Sequence, residues 1–186
     1  IYKDLFWNFK LHSLNDAEKI QLAIDQRDAY DDSVFSLLLN SATFSKSSPR
    51  FIYAHFFMPH IPNSHDSTGK RIPVNTKISV EQEMEGYTNE IRFINNRIST
   101  ISDTLIRNIK RPLVIIIQGD HGYRFYDDRR KKDEFPNFFA VYFSNKDYRQ
   151  VPDTLSNVNL FRAVMNTYFN QQIPFETNKH FFLQYK

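Results

Sequence analysis

Apolar positions along this chain fall into a few separated blocks, each with its own period. Residues 15–27 (NDAEKIQLAIDQR) open with acids and set Ile20, Leu22 and Ala23 as apolar positions, which predicts a helix. Residues 31–39 (DDSVFSLLL) predict a second, short helix, and residues 41–50 a polar connector with a proline near its end. The next block, residues 51–58 (FIYAHFFM), is aromatic, β-branched and nearly all apolar, as a buried strand is. Pro59 and Pro62 bracket His60 and end it, and residues 63–77 read as a loop. Residues 87–110 give the clearest helix. Ile91, Ile94, Ile98, Ile101, Leu105 and Ile109 recur at steps of three and four, and Pro112 stops any continuation.

Residues 113–119 (LVIIIQG) form the strongest strand pattern, a continuous β-branched run of the kind buried on both faces. Residues 137–143 (NFFAVYF) predict another strand, with a charged loop at residues 124–134 between the two. Ser156 can cap a last helix reaching about Asn170, with Val158, Phe161, Val164, Met165 and Tyr168 as its apolar positions. About 50 residues connect the 51–58 strand to the 113–119 strand, enough for a crossover, so the two are expected to be parallel. The predicted class is α/β, a mostly parallel sheet flanked by helices. In such sheets ligands bind at the carboxyl ends of the strands. That rule singles out Met58-Pro59-His60 and Gln118-Gly119-Asp120-His121-Gly122.

Composition removes several alternatives. With 186 residues, 41% hydrophobic and 24% charged, the chain is long and apolar enough for a core. It has no cysteine, which excludes disulfides, thiolate metal sites and thiol catalysis. No run approaches the ~18 apolar residues that cross a bilayer. The net charge of +3 and the 16% aromatic content raise a nucleic-acid module. The aromatics sit at apolar strand and helix positions, however, and the basic run Arg129-Arg130-Lys131-Lys132 is flanked by Asp127-Asp128 and Asp133-Glu134, so no nucleic-acid partner is expected. The chain opens on Ile and has no signal-peptide layout, and the expectation is a piece of a longer protein.

Asp120 and His121 offer a carboxylate oxygen and an imidazole nitrogen, good ligands for Zn²⁺ or Mn²⁺. Adjacent side chains on a strand point to opposite faces, so they share one ion only if the backbone turns, which the flanking Gly119 and Gly122 would permit. The competing reading makes Asp120 a cap and His121 a satisfied polar residue. His60, held between prolines, is read as a hydrogen-bond donor to an anionic substrate. Arg124 could grip a phosphate or sulfate bidentately, or simply be a surface arginine. His55 is expected to be a buried core histidine; His12 and His65 are expected to be solvated.

Taken together, PRFIYAHFFMPHIP, a helix with YTNEIRFINNRI, and RPLVIIIQGDHGYR resemble the second half of the sulfatase-like catalytic domain of the alkaline phosphatase superfamily. A hydrophobic strand running into aspartate-histidine-glycine after a long helix is typical of sulfatases, phosphoethanolamine transferases and lipoteichoic acid synthases. NVNLFRAVMNTYF, residues 157–169, is similar to a later segment of bacterial membrane proteins that carry such a domain outside the membrane. The resemblance implies that Asp120 and His121 bind a catalytic divalent metal (Zn²⁺, Mn²⁺, Mg²⁺ or Ca²⁺), that His60 contacts the substrate, and that the substrate is an anionic phosphate, sulfate or lipid-headgroup ester. It also implies an extracytoplasmic location, with a membrane anchor in segments upstream. Two-metal members add an aspartate and, four residues on, a histidine; Asp120 and Asp103 have Arg124 and Arg107 at that spacing, so one ion is expected. Residues 1–49, read as a helical lead-in, supply neither the acidic ligand on a first strand nor the hydroxyl nucleophile of the family. Residues 50–186 are therefore expected to be the C-terminal part of the domain, incomplete and inactive alone. The alternative is a structural or interaction domain that keeps the fold without the chemistry.

Overall fold

A computed structural model describes residues 14–43, 48–75, 78–123, 135–179 and 181. In chain order they form α1 (Asp16–Ser41), α2 (Val80–Asn108), β1 (Val114–Gln118), β2 (Phe139–Phe143) and α3 (Asn157–Tyr168). The chain divides into two compact units, Ile1–Ile109 and Lys110–Lys186.

In the first unit, the two short helices expected near the start are one 26-residue helix. Asn15 caps it: its Oδ1 accepts the Glu18 N–H, and the Glu18 carboxylate accepts the Asn15 N–H. Asp28, between the two predicted helices, and Asp31, at the start of the second, both point inward. Ile24, Asp28, Asp31 and Phe35 form the buried face at steps of four, three and four. α2 begins seven residues before the start at residue 87 that the sequence predicts, because Ser79 and Gln82 make a second capping box. The isoleucine stripe does form its inner face. Ile94 and Ile101 are buried with Phe35 and Met58, and Ile98 and Leu105 pack against that cluster with Leu38, Phe56 and Phe93. Arg97 lies over the Phe35 ring at 3.7 Å and bonds Asp32 at 2.6 Å, which ties α2 to α1.

Residues 51–58 correct the sequence reading. No strand forms there among the described residues, and the expected parallel pairing with β1 is not found. The backbone N–H groups of Phe57 and Met58 are taken up by the Asp31 carboxylate instead of a sheet neighbour, and Phe51 and Tyr53 remain 76% and 78% exposed.

In the second unit, β1 pairs with β2 in an antiparallel ladder, Val114 opposite Phe143 through Gln118 opposite Phe139. The connection returns the chain directly alongside β1, which an antiparallel pair permits without a crossover. Both strands stand where the apolar runs placed them. In α3 the buried face is Asn159, Leu160, Ala163 and Val164, while Val158 and Phe161, expected inside, are exposed. Asn159 explains the rotation: its side chain accepts the Glu176 N–H and donates to the Glu176 carbonyl, so a polar residue faces inward. Phe143 is fully buried between the rings of Tyr148 and Tyr168. Among the described residues no helix is long and apolar enough to cross a membrane.

Candidate functional site

Asp120 and His121 follow the carboxyl end of β1, where the chain leaves the extended conformation and bends. The bend puts both side chains on one side: Asp120 Oδ1 and His121 Nε2 lie 3.7 Å apart. The turn does not depend on a left-handed glycine, since Gly119 has no positive φ. It is held through the Gly119 backbone. The Gly119 N–H donates to the Phe138 carbonyl, and its own carbonyl accepts from the side-chain amides of Asn137 and Asn157 at 2.8 and 3.2 Å. These two asparagines were invisible to motif reading, because they lie 18 and 38 residues downstream of the glycine that they hold.

His121 Nδ1 sits 2.6 Å from the Gly122 carbonyl. A carbonyl can only accept, so Nδ1 carries the hydrogen, and in the neutral ring Nε2 keeps its lone pair. That is the arrangement in which a second hydrogen bond orients a metal-ligating histidine. The Asp120 side chain is 88% exposed and that of His121 is 30% exposed. Two ligand atoms about 2.1 Å from a tetrahedral ion are themselves about 3.4 Å apart, close to the spacing here. The pair fits two ligands of one divalent ion. Among the described residues no group of three or more His, Cys, Asp or Glu side chains is arranged to hold a metal. Arg124 and the charged loop at residues 124–134, like His12 and His180, lie outside the described residues.

His60 belongs to the first unit. Its side chain is exposed, its N–H bonds the Phe57 carbonyl, and its Nδ1 donates to the Ile61 carbonyl at 2.7 Å. The Met58–Pro59 and Ile61–Pro62 bonds on either side are cis. α1 grips this segment at both ends. Asp31 Oδ1 and Oδ2 accept from Phe57 N and Met58 N, each at 2.9 Å, and Arg27 Nη1 donates to the carbonyls of His60 and Pro62 at 2.6 and 3.1 Å. Burial pushes the Asp31 carboxyl above its ordinary pKa, against the pull of the two N–H donors.

Behind the segment lies a buried polar cluster. Glu90, fully buried on α2, accepts from Ser64 N, His65 N and Asn63 Nδ2 at 2.6, 3.1 and 3.0 Å. Ser64 Oγ bonds Asp28, and Arg27 Nη2 donates to Ser64 Oγ. His65, expected to be solvated, is enclosed by Asp28, Glu90 and the Phe93 ring. His55, expected in the core, is exposed beside Phe57, because no sheet covers residues 51–57. Ser64 is fully buried, so its hydroxyl has no access to a substrate and serves as a structural link.

The model of one protein family, Sulfatase, matches residues 3–180, nearly the whole chain. The chain belongs to the sulfatase family. The matched range takes in α1 as well as the later elements. No curated protein and no solved structure matches it. Sulfatase membership makes this a sulfatase-like hydrolase or transferase domain, of a family that acts on sulfate- or phosphate-type esters and generally uses a divalent metal.

Proposed function

We propose that this sulfatase-family chain supplies the metal-ligand half of a site for transfer at phosphorus or sulfur, on phosphate, sulfate or phosphoethanolamine esters. The observation that carries the reading is the Asp120–His121 pair: two ligand atoms 3.7 Å apart at a strand end, with His121 Nδ1 committed to the Gly122 carbonyl. One divalent ion held there by Asp120 and His121 would neutralise charge on the transferring group and activate the nucleophile's oxygen. His60 and Arg124 would bind the equatorial oxygens of the ester.

The remaining acidic ligand and the hydroxyl nucleophile would come from chain upstream of residue 1. Two features support an incomplete domain: the absence of a third ligand among the described residues, and the exposed apolar run at residues 51–57. In the whole domain that run would join a mostly parallel sheet. An extracytoplasmic, membrane-anchored bacterial parent rests on the resemblance alone. A non-catalytic domain that keeps the fold is the second reading, favoured by the lack of the family's hydroxyl nucleophile in residues 1–49.

The test is turnover of 4-nitrophenyl phosphate and 4-nitrophenyl sulfate by the product of the gene's full reading frame, with and without a chelator. Metal-dependent turnover that His121→Ala abolishes supports the reading; absence of turnover with every divalent metal supports the non-catalytic one.

A further inference from the structure

Arg27 and Asp31 stand one helical turn apart on the inner face of α1 and hold the two flanks of His60. Asp31 fixes the N–H groups of Phe57 and Met58 ahead of it; Arg27 fixes the carbonyls of His60 itself and of Pro62 behind it. Between the anchored residues Met58 and Pro62 stand only Pro59, His60 and Ile61, with the His60 carbonyl anchored as well. The other guanidinium contacts leave Arg27 little freedom. Its Nε and Nη2 donate to Asp28 Oδ1, and Nη2 also donates to Ser64 Oγ, which Glu90 and Asp28 hold in turn. A flat five-donor fork is needed to reach two carbonyls, a carboxylate and a hydroxyl at once, and a lysine cannot reproduce it.

We propose that Arg27 and Asp31 are positioning residues that set the backbone and ring of His60 for contact with an anionic ester oxygen. The proposal rests on the reading of His60 as a substrate contact. The clamp acts through the Ile61 carbonyl. With the His60 and Pro62 carbonyls tied to Arg27, the Ile61 carbonyl between them turns to the His60 ring and takes its Nδ1–H, at 2.7 Å. Nδ1 is thereby occupied whatever the state of the ring, and Nε2 is the atom left for a ligand; the neutral Nδ1–H ring has only a lone pair there, so it is the protonated ring that donates from Nε2 to an anionic oxygen. Neither clamp residue touches the substrate in this account; both act on His60.

The test follows the His60 tautomer in the 186-residue chain by long-range ¹H–¹⁵N spectra, at a pH where the ring is neutral. The wild-type chain should show Nδ1–H at His60. Arg27→Lys should move the ring toward the Nε2–H form that free histidine favours, whereas Leu38→Ala, a packing loss on the same helix, should leave it unchanged. An unchanged tautomer in Arg27→Lys, or an equal change in Leu38→Ala, overturns the proposal. In the full-length product, Arg27→Lys should lower aryl ester turnover about 10- to 100-fold and add nothing to His60→Ala; additive losses overturn it. Wild-type turnover in His60→Ala overturns the site reading beneath the clamp, and the tautomer measurement, which needs no activity, tells the two failures apart.

Discussion

Arg27 Nη1 donates to the backbone carbonyl of His60 at 2.6 Å, across a separation of 33 residues. Through that bond a helix that carries no motif residue determines where a motif residue stands. The same helix offers Asp31 to the N–H groups just before the motif, so the Pro-His-x-Pro segment is held by side chains rather than by a strand ladder.

Asp31→Asn should therefore be costly despite its identical shape. An amide has one acceptor atom, so either Phe57 N or Met58 N would face an NH₂ group. We expect a loss of about 2–3 kcal/mol in urea unfolding. Its pH dependence has a definite sign. The folded pKa of Asp31 is raised above 3.8, so the folded state holds this proton more tightly than the unfolded chain; the resulting stabilisation is complete below pH 3.8 and is lost as pH rises through the folded value. The advantage of wild type over Asp31→Asn should shrink over that rise, and ¹³C titration should place the Asp31 carboxyl midpoint above 3.8.

Asp147 should behave in the opposite sense. The Arg149 guanidinium and N–H beside it hold its carboxyl at about 2. Its contribution to stability is present above pH 3.8 and is lost as pH falls from there through about 2. An NMR midpoint near 2 in wild type, returning toward 3.8 in Arg149→Ala, is the expected outcome.

Glu90→Ala should destabilise the first unit by about 3 kcal/mol or more. It removes the acceptor shared by Asn63, Ser64 and His65 and leaves buried donors without a partner. Denaturant unfolding measures the loss, and the His65 ring signals, enclosed in wild type, should move with it.

Gly69→Ala should also destabilise, by about 2–4 kcal/mol. The backbone at Gly69 has φ +86°, and an added Cβ would stand 2.3 Å from Phe93 Cε2. The thermal midpoint should fall, whereas an alanine at the exposed neighbour Lys70 should leave it nearly unchanged.

The pattern of apolar residues located β1, β2 and the inner stripe of α2, because those elements bury what their sequence makes apolar. It divided α1 in two, ending one helix at Arg27 and starting the next at Asp31, and only tertiary partners far along the chain show that Asp28 and Asp31 are enclosed and bonded. It misplaced His55 and His65 for related reasons. A histidine in an apolar run is exposed when nothing covers the run, and one in a polar loop is buried when two helices supply carboxylates around it. Asp120-His121-Gly122 was legible as a strand-end motif, but the asparagines that hold its Gly119 were not, since no local pattern links Asn137 and Asn157 to that turn.

The central claim is that Asp120 and His121 are two ligands of the one metal on which transfer at phosphorus or sulfur depends. The most direct measurement is aryl phosphate and aryl sulfate turnover by the full-length product, wild type against His121→Ala, at saturating divalent metal. The account predicts a fall of at least about 100-fold in His121→Ala, with no activity from the 186-residue chain alone. His121→Ala turnover within a few-fold of wild type, or metal-dependent turnover by the isolated chain, would contradict it.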